Sequence, residues 1–142
     1  MMDVHSPEQR SFNMSRIKGK DTRPEIMVRR WLWAKGYRYR LHPKHVHGKP
    51  DLVFFSSKKA VFINGCFWHM HNCKYFNWPA TNSDFWKEKI LNNVDRDQMN
   101  YQDLNADGWK YSIIWECELK LNFQKTMNTL IDFLKEKQKS SI

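Results

Sequence analysis

Two short apolar runs stand near the middle of the chain, Asp51-Leu52-Val53-Phe54-Phe55 and Ala60-Val61-Phe62-Ile63, with the polar Ser56-Ser57-Lys58-Lys59 between them. Short runs rich in β-branched and aromatic residues predict strands, and a short polar connection predicts a hairpin turn. A third run of this kind, Trp109-Lys110-Tyr111-Ser112-Ile113-Ile114-Trp115, predicts another strand. The sequence therefore predicts a sheet that contains a hairpin.

Helical patterns surround these strands. Thr22 can cap a first helix, Glu25 follows it in capping-box spacing, and Gly36 is placed to end it. A long second helix is predicted over residues 83–106. A last helix is indicated by apolar residues at i, i+4, i+7 and i+11, namely Phe123, Met127, Leu130 and Leu134. The order helix, hairpin, helix, strand, helix predicts an α/β domain with a mixed sheet flanked by helices.

The composition is that of a chain that can fold as one domain. The chain has 142 residues, of which 15% are aromatic, whereas a disordered chain would be poor in aromatic residues. No run approaches the roughly 18 apolar residues of a membrane helix, and the first residues contain no apolar stretch of the signal-peptide type. We therefore expect a soluble, cytoplasmic protein with no membrane contact.

The charge favours a polyanionic partner. The chain has 24 Lys and Arg against 15 Asp and Glu, which gives a formal net charge of +9. Because each neutralised phosphate releases condensed counterions, such an excess favours nucleic acid; a basic protein without such a ligand is the alternative. Residues 1–20 lack a hydrophobic period and predict an arm ahead of a single domain over 21–142. The cations of this arm are Arg10, Arg16, Lys18 and Lys20.

Metal-ligating residues are concentrated in Gly65-Cys66-Phe67-Trp68-His69-Met70-His71-Asn72-Cys73. Thiolates and imidazoles this close together suit zinc. The set Cys66, His71, Cys73 and Cys117 would close a tetrahedron and join this loop to the strand that ends at Trp115. Three ordinary buried thiols are the alternative interpretation.

Asp51 predicts a second, oxygen-based metal site. Nucleases that hydrolyse phosphodiesters commonly place an Asp at a strand start to hold Mg²⁺, which polarises the phosphate and lowers the pKa of a bound water. The usual second half, an acidic residue and a lysine two apart on the next strand, is missing, because Phe62 and Asn64 stand there. The residues alone therefore indicate a basic, zinc-containing α/β protein with a partial nuclease site.

The string Phe62-Ile63-Asn64-Gly65-Cys66-Phe67-Trp68-His69 resembles the very short patch repair (Vsr) endonucleases, and the likeness covers nearly the whole chain. It extends to Pro50-Asp51, Cys73, Phe85-Trp86, Asn93-Val94-Asp95-Arg96-Asp97 and Trp115-Glu116-Cys117. The resemblance implies a restriction-endonuclease-like fold, catalytic Mg²⁺ and structural zinc. It also implies nicking of double-stranded DNA on the 5′ side of the T in a T·G mismatch that arises when 5-methylcytosine deaminates.

The resemblance also implies roles for individual residues. Asp51 and the backbone carbonyl of Ile63 would bind the Mg²⁺, and Glu25 would reach a metal-bound water. His69 would activate the attacking water while Asp97 orients the imidazole, which fits general-base logic. The zinc ligands implied are the four residues proposed above.

Position 64 is the main departure from the family. Members often carry His or Asp there, and Asn64 can act as neither an acid nor a base. We expect activity to be retained, because Asp51 and His69 are both present. The alternatives are a restriction-type enzyme that cuts both strands, a zinc-containing DNA-binding protein inactivated through Asn64, and a basic RNA-associated protein.

Mismatch recognition has a physical logic, since a T·G wobble pair stacks poorly and apolar wedges can open the duplex there. By resemblance, Phe67, Trp68 and Trp86 form an aromatic wedge, although core packing is the alternative for each of them. Met14 would enter from the minor groove, and Lys89 and Asn93 would contact the mismatch. The remaining histidines, His5, His42, His45 and His47, are expected to be surface or loop residues.

The resemblance further implies partners. A cytosine C5-methyltransferase would set the sequence context, and mismatch-repair factors would act after the nick. A strand-asymmetric nick needs only one subunit, so we expect a monomer.

Overall fold

The structure is a computed structural model that describes residues 22–74 and 76–136. Its helices are α1 (Arg23–Ala34), α2 (Ser83–Ala106), α3 (Glu116–Leu121) and α4 (Phe123–Lys135). Its strands are β1 (Arg40–Leu41), β2 (Leu52–Phe54), β3 (Lys59–Asn64) and β4 (Lys110–Trp115), and a 3-10 turn covers Phe55–Ser57. The predicted arm over 1–20, including Met14, lies outside the described residues.

The sheet is mixed, and β3 lies inside it with β2 on one side and β4 on the other. The strand order is β1-β2-β3-β4. The hairpin β2–β3 is antiparallel, with Leu52 opposite Val61, whereas β3 and β4 are parallel, with Asn64 opposite Trp115. The predicted mixed sheet flanked by helices is confirmed.

The core is divided by the sheet, because successive side chains of a strand point to opposite faces. Val61 of β3 packs with residues of α1 and α4 in one cluster. Ala60 and Phe62, its neighbours in β3, pack with Tyr101 and Leu104 of α2 in a second cluster. Helices therefore cover both faces of the sheet. No helix in the described part of the chain is long and apolar enough to cross a membrane.

Local signals explain the ends of the helices. The Thr22 hydroxyl accepts from the Glu25 N–H at 3.4 Å, as the capping residues predict. Gly36 has a φ of +93°, a backbone conformation that glycine adopts without cost, just after α1 ends. These caps fix the position of Glu25 in the first turn of α1.

Two elements were not predicted, β1 and α3. The β1 strand has two residues, and backbone pairing of Arg40 with Val53 defines it rather than a hydrophobic pattern. The six residues of α3 are too few to show a helical period.

Lys59 corrects the predicted hairpin turn, because it begins β3 and is 1% exposed. Its Nζ donates to the carbonyl oxygens of Phe133 at 2.7 Å and Leu134 at 3.0 Å, and also to that of Glu136. The last carbonyls of a helix have no partner within the helix and carry partial negative charge. Lys59 therefore caps α4 from the far end of the hairpin, although burial lowers its pKa.

We expect Lys59→Met to lower the free energy of unfolding by roughly 2 kcal/mol or more, because the α4 carbonyls lose a charged donor. Lys58→Met is the matched control, since the exposed Lys58 ammonium donates to the Asp107 carbonyl at 2.8 Å and lies 5.8 Å from the Trp109 ring. That control should cost less than about 1 kcal/mol. Chemical denaturation measures both, and equal losses would contradict the capping role.

Candidate active site and metal centre

Four metal-ligating side chains converge where the parallel strands β3 and β4 end. Cys66, His71 and Cys73 come from the loop after β3, and Cys117 lies in the first turn of α3, directly after β4. One ligand atom from each lies within 4.8 Å of the others. Because parallel strands end at the same edge of a sheet, the fold brings together residues about 50 positions apart. We call these four residues the Cys/His cluster.

The contacts within the Cys/His cluster fix its shape. The Cys117 N–H donates to Cys66 Sγ at 3.4 Å, and Cys117 Sγ lies 3.4 Å from His71 Nδ1. The His71 N–H donates to the Cys66 carbonyl at 2.9 Å, and its ring stacks on Trp115 with 4.0 Å between centroids. Three contacts therefore position His71, one through its backbone and two through its ring.

This donor set could bind zinc. Ligands around a tetrahedral zinc are separated by about 3.5–3.8 Å, close to the spacing here. None of the three cysteines, all of which the structure describes, forms a disulfide. Burial raises the pKa of Cys66 to about 12 and also raises that of Cys117. Buried thiols of this kind become thiolates readily only beside a cation, which zinc would supply.

A second cluster joins three further elements at the start of β2. Asp51 precedes β2, Glu25 lies in the first turn of α1, and His42 follows β1. His42 Nε2 lies 3.0 Å from Glu25 Oε2, and His42 Nδ1 lies 3.7 Å from Asp51 Oδ1. One ligand atom from each residue lies within 4.8 Å of the others. We call this the Glu-His-Asp cluster.

Asp51 is anchored to β3. Its Oδ2 accepts from the Ile63 N–H at 2.7 Å. In an extended strand the N–H and C=O of one residue point to the same side. The Ile63 carbonyl therefore faces the side of β3 on which Asp51 lies. This orientation is needed if both groups are to bind the same cation.

The electrostatics of Asp51 are unusual. Burial, reinforced by the neighbouring Glu25 carboxyl, raises its pKa to about 8, although the Ile63 N–H opposes the rise. Glu25 is 1% exposed and is bonded by Arg29 at 2.8 Å. The buried carboxyl of Glu25 and the partly buried carboxyl of Asp51 offer the oxygen donors that Mg²⁺ prefers, so the residues present fit this ion.

A third group lies next to these clusters. His69 Nδ1 is 2.5 Å from Asp97 Oδ2, and Asp97 belongs to α2. Asn64, at the end of β3, donates its amide to the Tyr101 hydroxyl at 3.3 Å. Tyr101 lies within electrostatic range of both Asp97 and Asp51, and its pKa is raised to about 12, mainly by burial. The Asn64–Tyr101 contact is therefore near both Asp51 and the His69–Asp97 pair.

The wedge residues lie together and outside both core clusters. The ring centroids of Phe67 and Trp86 are 5.6 Å apart, and those of Trp68 and Trp86 are 5.7 Å apart. Lys89 Nζ lies 5.6 Å from the Trp68 ring, and the Asn93 amide donates to the Trp68 carbonyl at 3.3 Å. The structure thus brings together every DNA-contacting residue of the predicted set that it describes.

Other residues of the site were not predicted from the sequence. Three more rings extend the wedge, and two of them are exposed; they are Phe76, Trp78 and Phe85. His42 was expected to be a surface or loop residue, and it does lie in a loop, but its side chain is only 19% exposed and lies between two carboxylates. No local pattern marks it, because its partners come from α1 and the start of β2.

A family model described as DNA mismatch endonuclease Vsr matches residues 2–75. The chain is 46% identical over 120 residues to the type II nicking enzyme V.NmeAIP of Neisseria meningitidis, over 84% of this chain and 86% of that protein. It is 38% identical over 136 residues to the DNA mismatch endonuclease Vsr of Escherichia coli, over 96% of this chain and 87% of that protein.

The chain belongs to the Vsr family of DNA mismatch endonucleases. Membership in the Vsr family confirms the resemblance found in the sequence and the prediction of a DNA nicking endonuclease, for which DNA is the substrate. A third Vsr-family relative, the type II nicking enzyme V.XorIIP of Xanthomonas oryzae, is 44% identical over 119 residues. The roles of the individual site residues stay predictions.

We expect the purified protein to contain about one equivalent of zinc, and Cys73→Ser to lose it. Because binding free energy of a structural metal contributes to folding, the melting temperature should fall by at least about 5 °C. Asn72→Ala, at the neighbouring exposed position, is the matched control. Atomic emission and thermal melts measure both quantities, and a zinc-free protein of unchanged melting temperature would contradict this assignment.

We expect Asp51→Asn to stabilise the protein when no divalent cation is added. The pKa of Asp51 is raised on folding to about 8, so ionisation opposes folding increasingly as pH rises from about 4 to 8. The variant should therefore gain on the order of 1–3 kcal/mol of unfolding free energy at pH 7.5 and little at pH 4. Urea denaturation at both pH values measures this, and a gain independent of pH would refute it.

Proposed function

We propose that this enzyme nicks double-stranded DNA on the 5′ side of the T in a T·G mismatch, with Mg²⁺ as its catalytic cofactor. One observation carries the proposal. Tyr101, which is bonded by Asn64, lies within electrostatic range of both Asp51 and Asp97, and the loop that carries His69 also carries the wedge rings Phe67 and Trp68.

The proposed chemistry begins with the bound cation. Asp51 and the Ile63 carbonyl would hold Mg²⁺, with Glu25 reaching it through water. When bound there, Mg²⁺ polarises the scissile phosphate and lowers the pKa of a bound water. The hydrogen bond from Ile63 N–H to Asp51 Oδ2 leaves the other carboxylate oxygen facing the cluster.

His69 is the proposed general base. In the neutral imidazole, a ring proton on Nδ1 that is donated to Asp97 would leave Nε2 without a proton. Nε2 can then take a proton from the attacking water, and the Asp97 carboxylate stabilises the imidazolium that forms. In this scheme Asn64 exchanges no proton, because a carboxamide is neither an acid nor a base, and its NH₂ group donates to the Tyr101 hydroxyl.

Recognition is assigned to the aromatic rings. Phe67, Trp68 and Trp86 would enter the duplex at the mismatch, where unstacking costs less than at a paired step, a few kcal/mol in general. Lys89 and Asn93, which contact Trp68, would reach the mispaired bases. The net charge of +9 supports binding to the phosphate backbone. Met14 is proposed to act from the opposite groove.

The biological role proposed is the start of very short patch repair. The T·G mismatch arises by deamination of 5-methylcytosine, so the enzyme would act with a cytosine C5-methyltransferase and with mismatch-repair factors. It would work as a monomer in the bacterial cytoplasm, with structural zinc in the Cys/His cluster and residues 1–20 as a DNA-contacting arm on the domain over 21–142.

The test uses two duplexes that differ only in a T·G or C·G pair, labelled on both strands. We expect one Mg²⁺-dependent nick 5′ of the mispaired T and an intact second strand. Asp51→Ala should abolish nicking and leave DNA binding in place. His69→Ala should slow nicking by about 10²–10⁴-fold, since it removes a general base.

His45→Ala is the control for the histidine variant, because His45 is exposed and stacks on Phe55. Near-normal turnover in His69→Ala would remove His69 as the base. Equal cutting of both duplexes would refute mismatch specificity. Conversion of supercoiled plasmid to linear DNA would favour a restriction-type enzyme, whereas binding without cutting in any divalent metal would favour a DNA-binding protein. Binding that ignores the mismatch and prefers RNA would favour an RNA-associated protein.

A further inference from the structure

His42 belongs to the Glu-His-Asp cluster, yet the proposed mechanism gives it no task. Its side chain is 19% exposed, and each ring nitrogen faces a carboxylate. A histidine packed for core volume would contact apolar side chains instead. The placement therefore requires an explanation in terms of charge or coordination.

The backbone of His42 is held in a conformation that non-glycine residues rarely adopt. Its φ is +47°, in the left-handed region, and its N–H donates to the Asp51 carbonyl at 3.2 Å. Such a conformation is unfavourable for a residue with a Cβ and persists where surrounding contacts over-determine it, often at functional sites. The strained residue is therefore tied by its backbone to the residue it faces.

The two carboxylates are also held in place. Glu25 Oε2 is bonded by Arg29 at 2.8 Å, and Asp51 Oδ2 by the Ile63 N–H at 2.7 Å. Ligands about 2.1–2.4 Å from one cation are separated by roughly 3.0–4.8 Å. The three donor atoms of the cluster, within 4.8 Å of one another, meet that condition.

We propose that His42 is a nitrogen ligand of the catalytic cation, and that this ligand makes the site bind Mn²⁺ in preference to Mg²⁺. The inference rests on the proposed function, which places the cation at Asp51. Either ring nitrogen of His42 could bind the cation together with a carboxylate. Nε2 lies beside Glu25 Oε2, and Nδ1 lies beside Asp51 Oδ1.

The metal preference follows from the donor types. Mg²⁺ favours oxygen ligands and retains its waters, whereas imidazole suits first-row transition ions. A site with two carboxylates and one imidazole therefore gains affinity for Mn²⁺ through the nitrogen and gains little for Mg²⁺. An Asn in place of His42 removes the imidazole and keeps a small polar side chain, which is also tolerated at positive φ.

The test measures metal binding by the full-length, zinc-loaded protein without DNA. Titration of the free Mn²⁺ electron paramagnetic resonance signal gives the Mn²⁺ affinity, and competition gives that for Mg²⁺. We expect the wild type to bind Mn²⁺ at least about 10-fold more tightly than Mg²⁺. His42→Asn should weaken Mn²⁺ binding by about 10–100-fold and Mg²⁺ binding by less than about 3-fold.

A spectroscopic signature separates coordination from a structural role. Pulsed resonance of the bound Mn²⁺ should show ¹⁴N coupling in the wild type and in the control His45→Asn, and lose it in His42→Asn. Equal weakening for both metals, unchanged affinities, or ¹⁴N coupling that survives in His42→Asn would each overturn the inference.

The variant Asp51→Asn shows whether a negative result concerns only His42 or the proposed cation site as a whole. Asp51→Asn should lose binding of both Mn²⁺ and Mg²⁺, whether or not His42 is a ligand. Unchanged Mn²⁺ affinity in Asp51→Asn would overturn the cation site of the proposed function itself. Loss of both metals in Asp51→Asn, with no effect of His42→Asn, would overturn only the assignment of His42.

Discussion

The hydrogen bond from the Ile63 N–H to Asp51 Oδ2, 2.7 Å long, joins the start of β2 to the end of β3. The pairing of β3 with β4 brings Trp115 opposite Asn64, and thereby Cys117 beside the loop that follows β3. Both clusters are therefore built on one strand end. A shift of β3 by one residue would reverse its buried faces and would separate Asp51 from the loop at once.

The carboxyl groups of Glu25 and Asp51 lower the stability of the folded protein. Glu25 is almost fully buried, and burial raises the pKa of Asp51 to about 8. Buried carboxylates cost free energy unless charge or hydrogen bonds compensate them. Arg29 and the Ile63 N–H compensate only in part, so the two core clusters on either face of the sheet must hold this edge in place. The residual negative charge would make the space between these carboxyls attractive to a cation.

Local patterns sufficed for much of the structure, because capping residues and apolar runs act within a few positions. The Cys/His cluster was also predictable, since a chain with three cysteines leaves few ways to complete a four-ligand set. Lys59 and His42 were not. Lys59 bonds to carbonyls 74–77 positions away, and His42 meets Glu25 across 17 positions. Such partners are set by how α4 and α1 pack on the sheet, and no nearby residue signals them.

Asn64, which departs from the family pattern, has a structural contact that suggests its role. Its amide bonds to Tyr101, which lies four positions after Asp97 and hence on the same face of α2. The contact between Asn64 and Tyr101 therefore helps to fix the rotation of α2, and with it the direction in which Asp97 meets His69 at 2.5 Å. The amide of Asn64 cannot supply a proton, but it connects the end of β3 to the helix that carries Asp97. In the proposed mechanism, proton transfer would then depend on His69 and Asp97, and Asp51 and Glu25 would bind the cation.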